Sequence, residues 1–128
     1  MVQRVTNGIK ISIKTTYDGV INRYSSTYHA FSYYIKIENE TKESVQLLER
    51  HWDIFDSLNT IEVVEGEGVV GQTPKLEPGD MYTYKSHCTL LGDAGSMSGF
   101  FTMINLQTSK KFQVKIPTFQ LTTTVVLN

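Results

Sequence analysis

Ile9, Ile11 and Ile13 alternate with Lys10, Ser12 and Lys14, and a run that is apolar at every second residue is the pattern of a strand with one buried and one wet face. The period returns at Phe31, Tyr33, Ile35 and Ile37 against Ser32, Tyr34, Lys36 and Glu38. Composition agrees: Val 11, Ile 10, Thr 15, Tyr 7, Phe 6 and Trp 1 make 50 residues suited to a pleated backbone, against two Ala, which excludes a helical bundle. The polar Asn39-Glu40-Thr41-Lys42 is expected to turn the chain into a hairpin with Val45 to Asp56. In that run Val45 and Leu47 share one parity while Leu48, Trp52 and Ile54 share the other, so a β-bulge is expected near Leu47-Leu48. Further strands are expected at Thr60 to Glu65, Met81 to Ser86, Gly99 to Gln107 and Lys111 to Ile116. Pro117 is read as a strand end before a last apolar run, Phe119 to Leu127. Roughly six to eight short strands with no helical period between them predict an all-β fold, an antiparallel β-sandwich.

The 128 residues fit a single domain, 1–128, with no linker or internal repeat. At this length about two thirds of the unfolded surface can be buried without disulfides or a structural metal. The lone Cys88 cannot form an internal disulfide, no run reaches a membrane span, and Met1 to Lys14 lacks the apolar stretch of a signal peptide; the expectation is a cytoplasmic protein without membrane contact. Net charge is −1, unevenly spread. Residues 1–37 carry five Lys/Arg against one acid, 38–80 three against eleven, and 81–128 four against one. An acidic middle does not suit nucleic acid, which needs clustered cations to release counterions.

Val64-Glu65-Gly66-Glu67-Gly68-Val69-Val70-Gly71-Gln72 contains a formal G-x-G-x-x-G after an expected strand. A dinucleotide site also needs a helix whose N-terminus faces the pyrophosphate. Thr73-Pro74 could open one, but Pro78-Gly79 would stop it within a turn, and residues 62–80 hold five acids against Lys75. Gly66 and Gly68 are therefore expected to allow positive φ or close backbone approach, with Val69 and Val70 plugging the sandwich edge. A sharper alternative is a nest of backbone N–H groups for an anionic partner. Glu77-Pro78-Gly79-Asp80 reads as a type II turn.

No catalytic constellation or metal site emerges. His29, His51 and His87 fall on separate elements, and Ser86 and His87, as strand neighbours, point to opposite faces. Asp53, Asp56, Glu62, Glu65 and Glu67 form no calcium-loop pattern and read as a solvated face. Tyr82 and Tyr84 share a face and are expected to pack rather than stack on bases. Trp52 should point inward and His51 outward, with Arg50 on the side of Trp52, at the sandwich margin or paired with a carboxylate.

Taken together, Leu47-Leu48-Glu49-Arg50-His51-Trp52-Asp53-Ile54, the glycine run through Gln72, then Pro74, Leu76, Pro78-Gly79, Tyr84, Ser86, Gly95, Met97, Gly99 and Ile116-Pro117-Thr118-Phe119 resemble the ApaG (CorD) domain family over nearly the whole chain. The resemblance implies a fibronectin type III or immunoglobulin-like sandwich. It also implies a link to cobalt resistance and magnesium efflux in bacteria, protein-binding roles in related eukaryotic domains, and no catalytic set or cofactor. His87 and Gly92-Asp93-Ala94 depart from the family pattern. The expectation is a non-enzymatic protein-interaction module. Its site would be the loop Glu65, Gly66, Glu67, Gly68, Val69, Val70, Gly71 and Gln72, joined at the same end of the sandwich by Leu91 to Ser98. Arg50, His51, Trp52, Pro78 and Gly79 would be structural. The alternative is a binder of small anions (phosphate, pyrophosphate, dinucleoside polyphosphate) or divalent cations on the same loop. Exposed sheet edges leave a homodimer open.

Overall fold

The computed structural model describes residues 1–123, so the end of the expected Phe119 to Leu127 run lies outside the described residues. Nine strands follow in order: β1 (Val2–Thr6), β2 (Ile9–Arg23), β3 (Ser26–Asn39), β4 (Val45–Asp56), β5 (Glu62–Glu67), β6 (Lys75–Leu76), β7 (Met81–Leu90), β8 (Ala94–Asn105) and β9 (Lys111–Thr122). Two antiparallel sheets form, one in the order β1-β2-β3-β7 and the other β5-β4-β8-β9, with β6 also pairing β4. Among the described residues there is no helix. The all-β sandwich expected from alternation is therefore the fold.

Alternation decides which residues enter the core. Ile9, Ile11 and Ile13 of β2 and Phe31, Tyr33, Ile35 and Ile37 of β3 meet Leu47, Trp52 and Ile54 of β4, Met97, Phe101 and Met103 of β8, and Val114, Ile116, Phe119 and Leu121 of β9. Trp52 lies at the centre of an aromatic cluster, its ring centroid 5.6 Å from Tyr33, 5.8 Å from Phe119 and 6.4 Å from Phe101, mostly edge-on as ring quadrupoles prefer. The bulge expected near Leu47-Leu48 is present: pairing of β4 with β8 shifts between Leu47 and Glu49. It changes the parity of the strand, so Leu47 and Trp52 both point inward.

Two expectations fail. Val45 to Asp56 does not form a hairpin with Phe31 to Glu38. The turn after Asn39 carries the chain to the opposite sheet, where β4 pairs with β5, β6 and β8. Buried Asn39 holds that crossing: Nδ2 donates to the carbonyls of Glu43 and Leu76, and Oδ1 accepts from the Thr41 amide and hydroxyl. Nor does Pro117 end a strand, because β9 runs through it. Met97 pairs with Phe119 but Gly99 with Ile116, so Pro117 and Thr118 face one residue at a bulge on an edge strand, where a missing N–H breaks no ladder.

Candidate functional site

The two sheets close on one side, where β9 packs against β1 and β2. On the other, β5 and β7 are both sheet edges, with no pairing between them. A cleft of about 450 Å³ opens there, lined from β4 by Arg50, Trp52 and Ile54, from β5 by Glu62 and Val64, and from β7 by Tyr84, Ser86, His87, Cys88 and Thr89, with Val69, Val70 and Gly71 above it.

The glycine-rich segment is an excursion from the β5 edge, and the β4 bulge holds both of its ends. The Gly68 amide donates to the Leu48 carbonyl (2.8 Å) and the Leu47 amide donates to the Pro74 carbonyl (3.0 Å). Between them Val69 and Gln72 exchange backbone hydrogen bonds of 2.8 and 2.9 Å around Val70 (φ 48°) and Gly71 (φ 76°), the geometry of a type I′ turn. Gly68 is required twice over: its φ is +64°, and a Cβ would stand 2.2 Å from the Gln72 carbonyl oxygen. Gly66 serves a different purpose. A Cβ there would lie 2.7 to 2.9 Å from Arg50 Nη2, Cζ and Nη1, so its absence makes room for the guanidinium against the backbone.

Arg50 therefore stands on the side of Trp52, as expected, but not against a carboxylate. Nη1 donates to the carbonyls of Glu67 (2.9 Å) and Gly68 (3.0 Å), and among the described residues no carboxylate comes within 4.0 Å of the guanidinium. His51 faces outward, stacked on Phe100 at 4.6 Å, with Nε2 3.2 Å from Asp53 and Nδ1 3.3 Å from Glu65. Burial of the imidazole opposes its charging, but the hydrogen bonds to Glu65 and Asp53 outweigh that and raise its pKa.

The loop residues divide by exposure. Val69 is buried and plugs the edge of the core; Val70, also expected to plug it, is 61% exposed at the tip, and Glu65, Glu67, Gly71 and Gln72 are exposed as well. The amides of Gly68, Val69 and Gln72 each donate to a carbonyl, so the continuous run of free N–H groups needed for a nest is interrupted. Leu91 to Ser98 does not join this end. Ala94 to Ser98 is strand, and the amides of Leu91 and Gly92 donate to Asp56 at the far end of β4, whereas the glycine loop is tied to Leu47 and Leu48. At about 3.3 Å per residue the two loops are roughly 26 Å apart along β4. The acids separate too: Asp56 caps backbone amides, Glu62 lines the cleft, and Asp53 and Glu65 flank His51. Among the described residues no three of His, Cys, Asp and Glu are grouped to hold a metal ion, and no helix is long and apolar enough to cross a membrane. Pro78 and Gly79 make the expected turn, with Gly79 at φ +85° and Asp80 donating to the Glu77 carbonyl.

Sequence reading missed the hydroxyls of the cleft. Tyr33 stands opposite Ser86 across the β3–β7 pairing, and among the described residues the buried Tyr84 hydroxyl has no partner. The shared parity of Tyr84, Ser86 and Cys88 was the available signal. Burial raises the pKa of both tyrosines, with Arg50 opposing in each, and pushes the Cys88 thiol up to about 12.

A family model for the ApaG domain matches residues 22–105, more than half of the chain. Protein ApaG of Mesorhizobium japonicum is 39% identical over 121 residues, covering 94% of this chain and 92% of the relative. Protein ApaG of Brucella canis is 36% identical over the same shares. An X-ray structure from a structural-genomics programme superposes with a TM-score of 0.88 at 33% identity, covering 94% of this chain and 91% of that one. A crystal structure of an ApaA protein from Bordetella pertussis gives 0.81 at 32% identity, over 89% and 92%. With its arginine-anchored glycine turn set on a two-sheet sandwich, this chain belongs to the ApaG domain family.

Proposed function

We propose that this protein is a non-enzymatic interaction module that docks a protein partner across the open side of the sandwich, with the glycine turn as its principal contact. The supporting observation is Val70. A β-branched residue in the left-handed region is an outlier, and Val70 holds φ 48° while 61% exposed, so its side chain gains little burial for that strain. An apolar group held out at the tip of a turn anchored at both ends is suited to contact another molecule. Val63 on β5, 54% exposed, extends the apolar surface along the same edge. An enzymatic reading lacks a paired nucleophile and base: Ser86 faces the cleft and His87 solvent. Anion binding by the loop amides has less support, because three of them already donate within the loop and its anchor. Affinity capture from the source cell with wild type, Val70→Asp and Val63→Asp tests the proposal. Both variants are expected to melt within a few degrees of wild type and to lose the partner; retention of the same partner by both would refute this docking face.

A further inference from the structure

Arg50, Tyr33, Tyr84 and Ser86 bring four side chains able to donate hydrogen bonds to one cleft. Both hydrogen bonds from Arg50 to described residues leave from Nη1, which leaves Nη2 and Nε with hydrogens to give and no carboxylate within ion-pair distance. A half-buried guanidinium without a counter-charge is costly unless an anion visits it. Tyr33 and Tyr84 line the same cleft as Arg50, and among the described residues the buried Tyr84 hydroxyl has no hydrogen-bond partner. Ser86, opposite Tyr33 in the β3–β7 ladder, completes the set. Trp52, Ile54, Val64, Val69 and Met97 supply apolar wall. A space of about 450 Å³ is in the range of small-ligand sites, where apolar walls and a few convergent polar groups set orientation.

We propose that the cleft between β5 and β7 binds a single carboxylate group carrying an apolar body, the carboxylate against Arg50, Tyr84 and the Tyr33–Ser86 pair and the body against Trp52 and its aliphatic neighbours. A planar carboxylate suits the guanidinium fork and accepts from hydroxyls through its remaining lone pairs. A phosphate dianion fits less well. Among the described residues Arg50 is the one Lys or Arg lining the cleft, and Glu62 lines it too. Glu62 is four residues from Gly66 along β5, roughly 13 Å from the place where Arg50 lies, so it opposes added negative charge without blocking a monoanion. Two sources share this chemistry: a free aliphatic acid, and the terminal carboxylate of a peptide.

The inference rests on the docking proposal for its location, yet the two fail separately. The test is titration of the full chain, followed by amide and indole NMR and by calorimetry, with hexanoate, hexanamide, inorganic phosphate, and a short leucine-ending peptide in free-acid and amidated forms. Saturable shifts at the Trp52 indole and the Ser86 amide are expected with the acid forms and none with the amides. Tyr84→Phe removes a hydroxyl that bonds nothing, so it should melt at or above the wild-type temperature while weakening the acid by roughly tenfold. Arg50→Gln should abolish binding, but because Arg50 also holds the loop carbonyls the tyrosine variant carries the decision. Binding of hexanoate alone assigns the site to a free acid, and binding of the peptide alone assigns it to a partner's terminus. No response to either acid, equal response to the amides, displacement by phosphate, or Tyr84→Phe binding as tightly as wild type overturns the proposal. If partner capture still depends on Val70 in that event, the docking reading stands without it; if acids bind but capture ignores Val70, only the docking reading fails.

Discussion

Val70→Asn should make the protein more stable and less able to bind. The left-handed conformation costs an L-residue about 1–2 kcal/mol, with β-branched side chains at the unfavourable end, while asparagine tolerates it and Asn-Gly is the preferred pair of a type I′ turn. Against that gain stands the covered part of the valine. With 61% of Val70 exposed, the buried remainder is worth roughly 0.6–0.8 kcal/mol on a scale of about 1.5–2 kcal/mol for complete burial. The net is a stabilisation of roughly 0.5–1 kcal/mol. For a domain of 128 residues the unfolding entropy at the midpoint is about 270 cal/mol/K, so Tm should rise by about 2–4 °C. Differential scanning calorimetry measures the shift, and capture with the same protein shows whether the partner is lost. A Tm equal to or below that of wild type, with an unchanged denaturant m-value, would mean that the turn is not strained at this position and would remove the main support for a contact role.

Gly66→Ala should displace the Arg50 guanidinium from the Glu67 and Gly68 carbonyls, with an expected loss of about 1–3 kcal/mol in urea unfolding, since a methyl group would stand 2.7–2.9 Å from three of its atoms. The raised pKa of His51 sets the sign of a pH effect: its bridges to Asp53 and Glu65 contribute fully below the unfolded value of about 6.5 and are lost as pH rises through the folded value. His51→Phe, which keeps an aromatic ring against Phe100, should therefore flatten a decline in Tm between pH 6 and 8.5, measured against wild type. Burial, assisted by Glu62, pushes the Cys88 thiol up to about 12, so alkylation of the native protein at pH 8 should run about a thousandfold slower than in denaturant, as followed by mass spectrometry.

What could be read in the sequence follows from what alternation specifies. It fixes which face of a strand is buried, and so Ile9, Ile11, Ile13, Tyr33 and Trp52 take their expected core places, and the parity change at Leu47-Leu48 marks a true bulge. Alternation does not name the neighbouring strand. The polar turn after Asn39 serves a hairpin and a sheet-to-sheet crossing equally well, and the crossing depends on Leu76, thirty-seven residues away, accepting from Asn39. Pro117 was misread because its place on an edge bulge depends on pairing with β8. The Asn7-Gly8 pair that joins β1 to β2, with φ 52° and 77°, carries a two-residue hairpin signal in plain sequence, whereas Tyr24-Ser25 makes the next turn at φ 52° and 62° without glycine or asparagine and gives no such sign. At the site, the inward direction of Arg50 was legible from parity. Its acceptors were not, since they are carbonyls on a loop eighteen residues on, freed for it by the missing side chain of Gly66.

The double tether of the glycine excursion to Leu47 and Leu48 has a consequence for divergence among relatives. Its closure is set by hydrogen bonds to a neighbouring strand, so the tip can gain or shed residues at an entropic cost that grows only with the logarithm of its length. The sheet register on either side need not move. Such an arrangement works as an interchangeable cassette, and a sandwich of this kind can acquire a new recognition surface by rewriting Val70 and its flanks alone, with the buried aromatic cluster left untouched.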